Sequence, residues 1–154
     1  MERSILLLAI ALGACVPPAQ VWDDGPDRPV AIRACAREGA PEQTPRQLLL
    51  AAVAALAARG YRIRAVDAAA GVVVTEHASP LGFPLSWTVR VDPEGGATLA
   101  PSRGSPLYSG RALHSAEGEA QSLGGRIAGA SCKPTAELEA AAAKAGVSIP
   151  PAPR

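Results

Sequence analysis

Residues 85–91 read LSWTVRV, the cleanest period-two alternation in the chain. Side chains along a strand point to opposite faces in turn. Leu85, Trp87, Val89 and Val91 therefore share one face, and Ser86, Thr88 and Arg90 share the other. A strand that is apolar on one side belongs to a sheet with one covered and one wet face. Helices must supply the cover, and the segment from Thr44 to Gly60 is the strongest candidate. Thr44 can cap it, Pro45 suits the first helical position, and Gln47 completes a capping box. Leu49, Ala52, Val53 and Leu56 fall on one face, and Gly60 ends the helix after Arg59. This helix is alanine-dense and apolar nearly all round, which predicts heavy burial or a partner surface.

The other elements follow from similar signals. Val30–Cys35 reads as a first strand. Tyr61–Val66 alternates, with Tyr61, Ile63 and Ala65 inward and Arg62 and Arg64 outward, and an Ala/Gly turn joins it to Val72–His77. Asp92–Gly96 is a turn by composition, and Ala97–Ala100 returns as a weaker strand. From Arg111 to Ala128, Leu113, Ala116, Ala120, Leu123 and Ile127 form a helical stripe, weakened by Gly118, Gly124 and Gly125. After Pro134, Thr135 can cap a short helix over 137–144 that Gly146 stops, followed by a loose Pro-rich tail. The expectation is an α+β fold: a small antiparallel sheet of four to five strands with two helices packed on one face. Its domain spans 30–132, with the short helix and tail in 133–154.

Apolar residues make up 48% of the 154, but aromatics only 3%. The core must come from Leu, Val, Ile and Ala, each contributing modest area, so a covalent staple is valuable. The formal charge is +1. No basic run or basic-aromatic stripe occurs, which argues against nucleic-acid binding and against a polybasic membrane patch.

Ile5–Leu12 is a short apolar run behind one arginine, below the roughly 20 residues a spanning helix needs. It fits the hydrophobic part of a secretory signal over 1–14. Leu12-Gly13-Ala14-Cys15 resembles the lipobox of bacterial lipoproteins: Leu, two small residues, then cysteine. The resemblance implies that Cys15 carries a diacylglyceryl group on sulfur and, after cleavage ahead of it, an acyl chain such as palmitate on its amino group. Several chains on one residue anchor stably where one does not. The family's sorting preference, with Val16 and not Asp after the cysteine, implies the outer membrane, periplasmic side, in a Gram-negative envelope. Residues 15–29 then form the anchor and a Pro/Asp-rich tether containing Trp22.

With Cys15 so assigned, Cys35 and Cys132 remain in an exported chain, and an even pair there reads as a disulfide. Free thiols, or a metal or catalytic role, are the alternatives. The loop is close to 100 residues, for which chain entropy gives about 4.7 kcal/mol. Antiparallel packing of the two main helices would bring these cysteines together.

Chemistry-bearing motifs are sparse. His114 and Glu117 lie three apart on a helix, and His77 follows Glu76 at a strand end; solvated polar faces explain both. No GxSxG or HExxH spacing occurs. The loop from Ser102 to Gly110 carries Arg103 and Tyr108, with Arg111 just after. The functional expectation is a non-enzymatic interaction or assembly module without cofactor or metal, held on the membrane through Cys15 with an envelope protein as partner. Its contact surface would be the face bearing Arg62, Arg64, Thr88 and Arg90, or the Tyr108 loop. The alternative is a small-molecule or lipid-binding module with a helix/sheet cleft lined by Val53, Leu56, Trp87 and Val89. A hydrolase with an unrecognised site is a third, weaker option.

Overall fold

The computed structural model describes residues 29–76, 85–102 and 110–151, with 110–115 described as backbone. The signal segment, Cys15, Trp22, His77, Arg103 and Tyr108 lie outside these residues, as do the side chains of Arg111, Leu113 and His114. In chain order the elements are β1 (Val30–Ile32), α1 (Pro45–Arg59), β2 (Ile63–Asp67), β3 (Val72–Thr75), β4 (Trp87–Val91), β5 (Ala97–Pro101), α2 (Gly110–Ser131) and α3 (Thr135–Lys144).

Helix α1 starts and stops where its sequence signals fall. Thr44 Oγ1 accepts the Gln47 amide at 3.1 Å, Pro45 occupies the first turn, and Gly60 takes the left-handed conformation at φ 100°. The capping box is only half formed. Gln47 does not reach back; its Nε2 donates to the carbonyls of Ser131 (3.2 Å) and Lys133 (2.8 Å). Thr135, expected to cap α3, instead donates to Gln47 Oε1 at 2.8 Å, and α3 begins after Pro134 with no side-chain cap. Both departures have one cause. Buried Gln47 donates to the carbonyls where α2 turns into α3, sharing that of Ser131 with Gln43 Nε2 at 3.1 Å.

One antiparallel sheet has the order β1-β5-β4-β3-β2. Strands β2 to β5 form a meander, while α1 carries the chain from β1 at one edge to β2 at the other. The register places Val66, Val73, Val89, Leu99 and Val30 in one row facing the helices. Ala65 does not join this face as its alternation predicts. A bulge between Ile63 and Ala65 consumes a residue, so Ala65 is exposed and Val66 packs against the core. Ser86, expected outward, precedes β4 and is buried, its hydroxyl donating to the Thr75 carbonyl at 2.7 Å.

Helices α1 and α2 pack on that one face, α1 over β3 and β4 and α2 over β1 and β5, and they contact each other. The stripe Ala116, Ala120, Leu123 and Ile127 is buried. Gly124 sits where α2 crosses β1; a Cβ there would lie 3.0 Å from Val30 Cγ1. The apolar circumference of α1 explains the third helix: α3 packs on α1 and buries Leu138 and Ala142. Residues after 132 were expected as an appendage with a loose tail. Instead Ile149 is buried, and Arg46 donates to its carbonyl at 2.9 Å. A helix apolar on every side needs cover on every side, and the C-terminal segment provides it.

The antiparallel helix pair brings the two ends together as expected. Cys35, just after β1, is disulfide-bonded to Cys132, just after α2, with a Cα–Cα distance of 5.1 Å across 97 residues of sequence. The Cys35 amide also donates to Ser131 Oγ at 3.0 Å. Sheet edge and helical layer are thus joined covalently and by hydrogen bonds.

Candidate functional site: the uncovered sheet face

Every strand that buries one row of side chains presents another on the opposite face. The register aligns Ala65, Val74, Thr88 and Ala100 in one outer row, and Asp67, Val72, Arg90, Thr98 and Ala31 in the next. None of these side chains is fully buried, because no described helix crosses this face. Their small size leaves a shallow groove of about 560 Å³ lined by Pro29, Thr88, Arg90, Thr98, Ala100 and Ser102, among others. One end of it is fixed by hydroxyls. Thr88 Oγ1 and Ser102 Oγ lie 2.8 Å apart, and Ser86 Oγ lies 3.0 Å from Ser102 Oγ. Arg90 is exposed and, among the described residues, has no carboxylate within salt-bridge distance. The groove therefore offers an uncompensated cation above a floor of methyl and hydroxyl groups.

Of the four residues expected on this face, the structure brings together Thr88 and Arg90. Arg64 is exposed on β2 at the bulge. Arg62 lies elsewhere: it pairs with Glu76 (3.6 Å) and lines a separate groove between β2, α1 and α3. That second groove, about 630 Å³, is floored by alanines of α1 and α3 and carries Lys144 on its rim.

The ligand cleft expected between α1 and the sheet is filled. Val53, Leu56, Trp87 and Val89 have 0% exposure, so no water-sized space touches any of them. Glu117 is exposed on α2. Among the described residues no group of three His, Cys, Asp or Glu side chains could hold a metal ion, and no helix is long and apolar enough to cross a membrane.

One polar cluster was missed from sequence. Glu119, 6% exposed, accepts from Arg59 Nε at 2.9 Å and from the Tyr61 hydroxyl at 3.2 Å. Tyr61 in turn meets Trp87 edge-on, with centroids 6.4 Å apart. The signal was available: position 119 lies three after Ala116 and four before Leu123, on the buried stripe. The cluster ties the C-terminal end of α1 to α2, and its buried carboxylate is matched by a guanidinium and a phenol. It builds the fold, and its Tyr61 also lines the groove between β2, α1 and α3.

No protein-family model matches this chain, and no curated protein matches it either.

Proposed function

We propose that the protein is a lipid-anchored cell-envelope protein whose domain acts as a non-enzymatic interaction module through the uncovered sheet face. The observation that carries this reading is the cysteine count. Of three cysteines, Cys35 and Cys132 bond to each other within the domain, which leaves Cys15, in its LGAC context, as the third. A disulfide also suits an exported chain. On this reading Cys15 bears the lipid, residues 16–29 form the tether, and Val16 directs the protein to the outer membrane, facing the periplasm. On this reading the contact surface is the groove around Arg90, supported by its exposed charge and by the filled α1–sheet cleft.

Replacing Cys15 with Ser tests the anchor. Cys15→Ser is expected to abolish incorporation of labelled fatty acid and to release the protein from the membrane fraction. Continued incorporation in that variant contradicts the reading.

A further inference from the structure

The outer groove starts where the tether ends, because Pro29, the last residue of the tether, lines the groove beside Thr98 and Arg90. We propose that the chain's own segment Trp22–Arg28 docks in this groove and covers the open face in the free protein. Charge supports that occupant. The segment WDDGPDR holds three aspartates against one arginine, and it approaches an Arg90 that has no ion-pair partner among the described residues. Apolar content supports it too, since Trp22 would lie against half-buried Val72 and Val74.

Reach is sufficient. Neighbouring strands are about 4.8 Å apart, so β3 lies roughly 14 Å from β1 across the sheet. Seven residues extend to about 23 Å. Attachment at Pro29 makes docking intramolecular, at an effective concentration in the millimolar range, where even a weak contact is populated.

Docking has a consequence for the anchor. The free leash shrinks to the residues between Cys15 and Trp22, about 23 Å at full stretch, until a partner displaces the segment. The inference rests on reading the outer face as a contact surface and does not depend on acylation of Cys15.

The full-length protein reports docking directly, because its two tryptophans are Trp22 and Trp87 and the latter is fully buried. Added acrylamide therefore quenches chiefly Trp22, while the unquenched Trp87 component monitors the fold. Arg90→Glu is expected to raise Trp22 quenching, as is the triple variant Asp23→Asn/Asp24→Asn/Asp27→Asn, whose changes lie outside the described residues. An exposed ion pair shifts a docking equilibrium by up to about fivefold, and high salt should act in the same direction. Adding Asp23→Lys and Asp24→Lys to Arg90→Glu should restore protection. Equal quenching in the wild type, Arg90→Glu and the triple variant overturns the proposal. Loss of the fatty-acid result at Cys15 alongside intact docking would remove the anchor and leave the docked segment standing.

Discussion

The two faces of the sheet come from the same strands and differ in almost everything else. On the covered face Val73, Val89 and Leu99 have no exposed surface and meet two helices. One residue along each strand, Val74, Thr88 and Thr98 stay half-exposed over a shallow groove. Stability is concentrated on the first face, where large aliphatic side chains lose water. The second face uses small side chains and Arg90, which has no ion-pair partner among the described residues, a composition that contributes little to folding and suits contact. A domain with so few aromatics thus keeps its apolar area on the face that needs it.

The disulfide bears most strongly on this division, because it joins the sheet edge after β1 to the end of the covering helix α2. Reducing it, or replacing Cys35 and Cys132 with Ser, should cost about 2–5 kcal/mol in urea unfolding. A variant that unfolds at the wild-type midpoint would show that the cover holds without its staple. Next in size are paired truncations on β5. Leu99→Ala, on the covered face, should cost about 2–5 kcal/mol. Thr98→Ala, its neighbour on the open face, should stay within about 0.5 kcal/mol. Similar losses at both positions would erase the distinction between the faces.

Sequence periodicity reached far into this fold because one-sided alternation at 85–91 and an all-apolar helix at 45–59 each permit few environments. It assigned the α+β class and the sheet with helices on one face, while the pairing of Cys35 with Cys132 came from the cysteine count and the expected helix packing. Local signals misled where a tertiary partner outbid them. Gln47 and Thr135 both carry good capping chemistry, yet they bond to each other, and Gln47 spends its amide N–H groups on the carbonyls of the α2–α3 junction. The bulge that exposes Ala65 has no marker in IRAV, since alternation is blind to an inserted residue. Packing of Ile149 was hidden by its Pro-rich surroundings, which read as tail.

The candidate site was legible in part. Thr88 and Arg90 follow from alternation alone, because they are the polar positions of the best strand. Their grouping with Pro29 and Thr98 depends on strand order, and nothing local in the chain announces that β1 pairs with β5. Arg62 was grouped with them by the same alternation, but it lies ahead of β2, next to Glu76.

On the proposed function, the open sheet face is the contact surface and the rest of the domain is its support. A photoreactive side chain at Thr98, in the outer groove, can be compared in intact cells with one at Ala136, exposed on α3. Thr98 is predicted to give a discrete crosslink, to Trp22–Arg28 or to a second envelope protein, while Ala136 gives none. Crosslinking at Thr98 no greater than at Ala136 would contradict the account.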